Sequence, residues 1–211
     1  MILVGQYDSP FVRRVGITLT FYGLRFEHRP WSVWGDAERL GELNPLRRVP
    51  TLILEDQSVL VESFAIVDAL DDRVGEARAL LPRSGARRQE GLRLTSLASG
   101  VADKAVSLLY ESLFRSQPSE LWTQRCRTQI EQTLDRLERD LLEAGTDYFL
   151  GDSLSHPDIM STCAWRFGSE AHASLFVAAR WPTLAALAAR CEQLPVFQAV
   201  YQPIVNNLSN G

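Results

Sequence analysis

Residues 44–70 read NPLRRVPTLILEDQSVLVESFAIVDAL, and the order of elements in this stretch decides the fold. Thr51 to Glu55 and Ser58 to Val61 are two short apolar runs parted by Asp56-Gln57, a spacing that predicts a two-residue hairpin. Ser63 then opens a helical pattern with Ile66, Val67, Leu70 and Val74 on one face. Upstream, Ile2 to Gln6 reads as a strand. Pro10 to Tyr22 reads as a helix with Val12, Val15 and Leu19 on its apolar face, stopped at Gly23. Phe26 to Arg29 is a second short strand, and Asp36 to Leu43 is weakly helical. The order is βαβ, a loose helix, then ββα. Such a sheet is mixed, because a βαβ unit pairs in parallel and a hairpin antiparallel.

After Val74 the pattern dissolves into GEARALLPRSGAR (75–87), and no strand signal follows. Leu94, Leu97, Val101, Ala105 and Leu108 fall at helical spacing, as do Ile130, Leu134, Leu137 and Leu141. Further helices are expected over 156–167, over 183–191 and briefly after Pro195. The expectation is an α/β domain over 1–76 joined to an all-helical domain over 86–211. Ser155-His156-Pro157-Asp158 reads as a capping box at the start of the 156–167 helix, a stability feature and not a chemical one.

Composition narrows the functional classes. The chain has 211 residues, 45% of them hydrophobic, enough for a substantial core, and a formal net charge of −4. That balance argues against general nucleic-acid binding, which needs a basic footprint. The opening MILVGQYD lacks the charged and apolar regions of a signal peptide. The most apolar late stretch, 173–191, is broken by Arg180, Pro182 and Arg190, so no membrane span is expected. Cys126, Cys163 and Cys191 are widely spaced, which suits reduced thiols in the cytoplasm. His28, His156 and His172 show no metal-ligand spacing, so no metal site is expected.

Three places carry candidate chemistry. Ser9-Pro10-Phe11 follows the first strand, Arg48-Val49-Pro50 enters the third, and Glu62-Ser63 stands between the fourth strand and its helix. Each has a plain structural reading. Ser9 with Pro10 is a common helix start, Pro50 suits the first residue of an edge strand, and Ser63 suits an N-cap. The Ser9 and Glu62-Ser63 motifs also have a ligand reading, because a helix N-terminus presents free N–H groups and about half a positive charge to an anion.

Taken together, these motifs resemble the soluble, cytosolic glutathione S-transferases, and the resemblance spans essentially the whole chain. NPLRRVPTL and LVESFAIVDAL resemble that family's most diagnostic stretch. The resemblance implies a thioredoxin-like βαβ-ββα domain with a mixed four-stranded sheet, followed by a helical domain contributing a pocket for the second substrate. It implies glutathione as co-substrate. A cis Val49-Pro50 bond would let the Val49 backbone pair with the cysteinyl unit, Ser63 and Glu62 would hold the γ-glutamyl carboxylate and ammonium, and Arg48 would meet the glycyl carboxylate.

Ser9 aligns with the serine of zeta-like members, where omega-like ones have cysteine, so a serine-type, bacterial-like enzyme is expected. Its hydroxyl would stabilise the thiolate, with Tyr7 as a rival donor. Trp34 and Asp103 are weaker ligand contacts, and Arg13 or Arg14 is expected to be solvated or paired across a domain boundary. Phe11, Tyr110, Phe114 and Trp165 are candidate pocket aromatics. The implied activity is conjugation of glutathione to a small hydrophobic electrophile, a detoxification chemistry, by a homodimer. A glutathione-dependent peroxidase or isomerase on the same site, or a non-catalytic binding module of the same fold, are the alternatives.

Overall fold

A computed structural model describes residues 1–204. The elements are β1 (Ile2–Val4), α1 (Pro10–Phe21), β2 (Glu27–Arg29), α2 (Ala37–Leu43), β3 (Thr51–Ile53), β4 (Val59–Val61) and α3 (Ser63–Val74), then α4 (Gly85–Phe114), α5 (Glu120–Ala144), α6 (His156–Ala171), α7 (Pro182–Glu192) and α8 (Pro195–Gln198). The expected thioredoxin-like plus helical architecture is the one observed. The sheet order is β2-β1-β3-β4. β1 runs parallel to β2 and antiparallel to β3, and β3 runs antiparallel to β4.

Every strand is three residues long, shorter than the apolar runs suggest. β1 stops at Val4 because Gly5 turns the chain at φ +128. There a side chain would collide with Val12 Cγ2 at 2.6 Å and Val49 Cβ at 2.8 Å, so the backbone needs glycine. The hairpin differs from the two-residue expectation. Leu54 N–H donates to the Ser58 carbonyl at 2.8 Å, and Gln57 sits at φ +68. Glu55, Asp56 and Gln57 therefore form a three-residue loop whose last residue takes the left-handed conformation.

The described chain divides into two compact units, Met1–Ala79 together with residues 194–204, and Leu80–Gln193. In the first, α1 is buried almost all round, not only along Val12, Val15 and Leu19. One side packs on the sheet and α3, and another is covered by α8. Arg13 and Arg14, one of them expected to be solvated or paired across a domain boundary, are both 1% exposed inside this unit. Arg13 is accommodated because its guanidinium donates to the Phe197 and Val200 carbonyls at 3.2 and 3.3 Å. The last segment thus belongs with the first unit through α1.

The second unit packs α4 against α5 and α6, with α7 on α5 and α6. Ile130, Leu134, Leu137 and Leu141 are all buried, as their spacing predicts. The capping box is present. Asp158 accepts from Ser155 N and from Phe149 N at 2.8 Å each, and from the Ser155 hydroxyl. α7 has Trp181 at its N-cap, which offers no side-chain acceptor. Glu138 of α5 replaces it, accepting from Thr183 N and Leu184 N at 2.8 Å each, so two of the helix's free N–H groups are satisfied. The three cysteines are free and buried. Burial pushes the Cys191 thiol up to about 12, far from a reactive thiolate. No described helix is long and apolar enough to cross a membrane.

Candidate functional site

The sheet register brings the three sequence motifs to one end of the first unit. β1 and β2 end there, β3 starts there, and Val4 pairs with Thr51, which in turn pairs with Val61. One further step along the register sets Pro50 beside Gly5 on one side and Glu62 on the other. Val49 and Val12 both press on Gly5, so the entry to β3 touches the first turn of α1. The Val49-Pro50 bond is cis. Two 12-residue helices, α1 and α3, point their N-termini at this same end, and their free N–H groups favour an anion.

Ser9 is the N-cap of α1, in extended conformation, with Pro10 at the first helical position. Its Oγ accepts from Val12 N at 3.4 Å. A hydroxyl has one donor as well as its acceptor lone pairs, and the Ser9 proton has no acceptor among the described residues. The same group therefore closes the helix and keeps a hydrogen for something outside it.

Tyr7, the rival donor, turns elsewhere. Its ring stacks on His28 with centroids 3.9 Å apart and 15° between planes. It also lies against Gly16, whose added Cβ would sit 2.7 Å from the ring. Gly16 is about 9 Å along α1 from its start at 1.5 Å per residue, so the phenol lies beside the helix body and not at its N-terminus. Burial pushes this phenol up to about 12.

At α3 the capping differs from the sequence reading. The N-cap is Glu62, at φ +67, and Ser63 is the first helical residue. A left-handed conformation at a non-glycine residue is costly, about 1–3 kcal/mol, and such outliers cluster at functional sites. It presents the Ser63 N–H among the helix's free donors and leaves the Glu62 carboxylate half-exposed. The buried Ser63 hydroxyl accepts from Arg14 Nη1 at 3.4 Å, and the Arg14 guanidinium lies 5.1 Å over the Phe64 ring. Arg14 thus ties α1 to the start of α3 and adds positive charge beneath it, a role its sequence position did not signal. Arg48 reaches the same place from the β3 side, with Nη1 3.2 Å from Glu62 Oε1. The two side chains are 58% and 49% exposed, so this pair contributes at most about 1 kcal/mol to stability.

Two further residues escaped the sequence reading. Asn44, 2% exposed, donates to the Arg48 carbonyl at 2.9 Å, and Thr51 Oγ1 donates to the same carbonyl at 3.2 Å. Together they brace the turn that delivers Val49-Pro50. Asn44 stands in the quoted NPLRRVPTL, directly after the weakly helical stretch that ends at Leu43.

The weaker candidates have surroundings of their own. Trp34 is 52% exposed in the loop before α2. Asp103 pairs with Lys104 at 2.8 Å. Tyr110 and Phe114 rings contact each other at 5.5 Å. Trp165 packs edgewise against Phe176 and Trp181 inside the helical unit. The described residues contain no group of His, Cys, Asp or Glu suited to a metal ion.

The chain is similar to known proteins along most of its length. A family model described as glutathione S-transferase, N-terminal domain, matches residues 8–73, and one described as glutathione S-transferase, C-terminal domain, matches residues 101–195. An uncharacterized GST-like protein of Escherichia coli, YibF, is 32% identical over 144 residues, 68% of this chain and 71% of its own. The chain belongs to the glutathione S-transferase family. A crystal structure of a glutathione S-transferase from Methylobacterium radiotolerans, in complex with glutathione sulfonate, superposes on this family member with TM-score 0.88. That structure is 28% identical and covers 98% of both chains. A probable maleylacetoacetate isomerase of Vibrio cholerae is 29% identical over 208 residues, 93% of each chain. The matched N-terminal segment contains Ser9, Val49, Pro50, Glu62 and Ser63, the residues that the sheet register gathers in this glutathione S-transferase.

Proposed function

We propose that this protein is a serine-type glutathione transferase that binds glutathione at the end of its sheet, stabilises the thiolate with Ser9 and conjugates it to a small hydrophobic electrophile. The observation that carries the reading is the double commitment of Ser9. Its oxygen is occupied by Val12 N, which orients the hydroxyl, while its proton remains available at a helix N-terminus.

The donor set fits the tripeptide. The α3 N-terminus with Ser63, backed by the Arg14 charge, suits a carboxylate. Glu62 suits an ammonium, Arg48 a second carboxylate, and the Val49 backbone suits main-chain pairing of the kind an added strand makes. Arg48 and Glu62 face each other at 3.2 Å. Because an exposed pair is weak, each is free to exchange its partner for an opposite charge on the ligand. Glutathione supplies the nucleophile, a thiol with a pKa of about 8.5 whose thiolate is the reactive form. The chain's part is to hold that sulfur and keep it ionised, by a hydroxyl donor and a helix dipole. Homodimerisation, a cytoplasmic location and a role in detoxification belong to this proposal on family grounds.

Isomerisation with glutathione at the same site is a second reading, favoured by the likeness to the Vibrio protein named as a probable maleylacetoacetate isomerase. The test is retention on immobilised glutathione together with turnover of chlorodinitrobenzene and of a cis-dienoic diketo acid. Conjugation with consumption of glutathione supports transfer, and cis–trans conversion without consumption supports isomerisation. Retention with neither reaction across a broad panel would reduce the protein to a binding module, and failure of retention would overturn the glutathione reading itself.

A further inference from the structure

The loop from Gly5 to Ser9 belongs to neither β1 nor α1, so the position of the Ser9 hydroxyl depends on what holds the loop. Four of its hydrogen bonds bear on that position. Gly5 N donates to the Arg29 carbonyl at 2.9 Å, and Ser9 N donates to the Gln6 carbonyl at 3.2 Å. The Gly5 carbonyl accepts from His28 Nε2 at 2.7 Å. These three come from β2 or from the loop itself. The fourth comes from the other end of the chain, where Gln202 Oε1 accepts from Tyr7 N at 3.0 Å across 195 residues of sequence.

Gln202 is delivered there by a segment that is itself pinned. Phe197 is fully buried, the Arg13 guanidinium stands 5.8 Å over its ring, and Arg13 also holds the Phe197 and Val200 carbonyls. A side chain at residue 16 would meet Val200 Cγ1 at 3.2 Å and the Tyr7 ring at 2.7 Å, so Gly16 gives both groups their seat on α1. The segment after α7 is therefore latched to α1 through Arg13 and to the Ser9 loop through Gln202.

Resting on the glutathione reading above, we propose that Gln202 is a positioning residue of the thiol site. Its amide oxygen fixes the Tyr7 backbone, and thereby Ser9 two residues on. Without that acceptor, Tyr7 N exchanges into water, and the loop can drift by tenths of an ångström. Hydrogen bonds to a charged acceptor are short and weaken with distance and misalignment, so a small drift removes much of what Ser9 supplies. Gln202 touches no reacting atom and acts through Ser9.

The test is Gln202→Met, which keeps length and removes the acceptor, made in the full chain with Ser9 and again with Ser9→Ala. Steady-state conjugation of glutathione to chlorodinitrobenzene is followed from pH 5.5 to 9, with glutathione affinity measured by calorimetry. The expected result is a three- to tenfold fall in kcat at pH 6.5 on the Ser9 background, from loss of about one net hydrogen bond. The pH midpoint should move to higher pH, and glutathione affinity should stay within about twofold. On the Ser9→Ala background the same change should do almost nothing, because two residues acting through one contact are not additive. An equal factor on both backgrounds, or a fall in melting temperature with an unmoved pH midpoint, assigns Gln202 to folding and overturns the proposal. So does a Gln202→Met enzyme that matches wild type. A Ser9→Ala enzyme as fast as wild type at pH 6.5 is a different failure: it removes the thiolate role of Ser9, and this inference with it.

Discussion

Replacing Ser9 with alanine separates its two duties, because they differ in size and in pH dependence. As a cap, the Oγ accepts from Val12 N at 3.4 Å, the long end of an N–H···O bond. Its loss should fall at the low end of the N-cap range, about 0.5 kcal/mol, which lowers the melting temperature of a chain this size by about 1–2 °C. As a donor to a thiolate, the same hydroxyl makes a hydrogen bond to a charged group, about 1.5–3 kcal/mol. At 1.36 kcal/mol per unit, that is about one to two pKa units on the bound thiol.

The sign follows directly. Wild type depresses the thiol midpoint, so Ser9→Ala raises it, and the whole rate profile moves to higher pH. Below both midpoints the thiolate fraction, and with it kcat, falls about 10- to 100-fold. Above both, the thiol ionises unaided and the two enzymes converge. The assay is chlorodinitrobenzene conjugation across pH, with the thiolate absorbance of bound glutathione read in parallel. A rate deficit of the same factor at every pH would refute the reasoning, since it would mean that Ser9 places the substrate without altering its ionisation.

Other outcomes follow from the same structure. Glu62→Gln removes an exposed partner of Arg48 and should leave the melting temperature within about 2 °C. It should weaken glutathione five- to tenfold by calorimetry, about 1 kcal/mol, and unchanged affinity would exclude Glu62 from the site. Asp158→Ala strands the buried Phe149 and Ser155 N–H groups and should cost about 3 kcal/mol in denaturant unfolding, against about 1 for Ser155→Ala. A smaller loss for Asp158→Ala than for Ser155→Ala would contradict the capping-box account. His172, whose Nε2 donates to the Ala105 carbonyl at 2.8 Å, is held below its usual 6.5 by burial. A base depressed on folding contributes stability above 6.5 and loses it as pH falls through the lower folded midpoint. His172→Gln should therefore flatten the stability–pH curve between about pH 7 and 5, and parallel curves would show that His172 does not drive that slope.

Local pattern carried most of the architecture into the sequence. The periodicity of Ile66, Val67 and Leu70, and of Ile130 to Leu141, is a property of residues three and four apart, and the structure buries all of them. Ser155 and Asp158 form a box within four residues, so it too was readable. What failed were features set by partners distant in sequence. β1 is shorter than its apolar run because Gly5 is squeezed between Val12 and Val49.

By itself, the sequence determined which elements form and in what order, and its three short motifs carried the resemblance that implies a glutathione site. Tertiary structure decided that these motifs share one end of the sheet, that Tyr7 lies along α1 and away from its N-terminus, and that Glu62 precedes the helix while Ser63 enters it. It also decided the partners of Arg13, Arg14, Asn44 and Gln202: the Phe197 and Val200 carbonyls, the Ser63 hydroxyl, the Arg48 carbonyl and the Tyr7 amide. The physical reason is range. Helix periodicity and capping are written in neighbours along the chain, whereas a buried arginine or a glutamine 195 residues from its partner acquires meaning only when packing sets its neighbours in space.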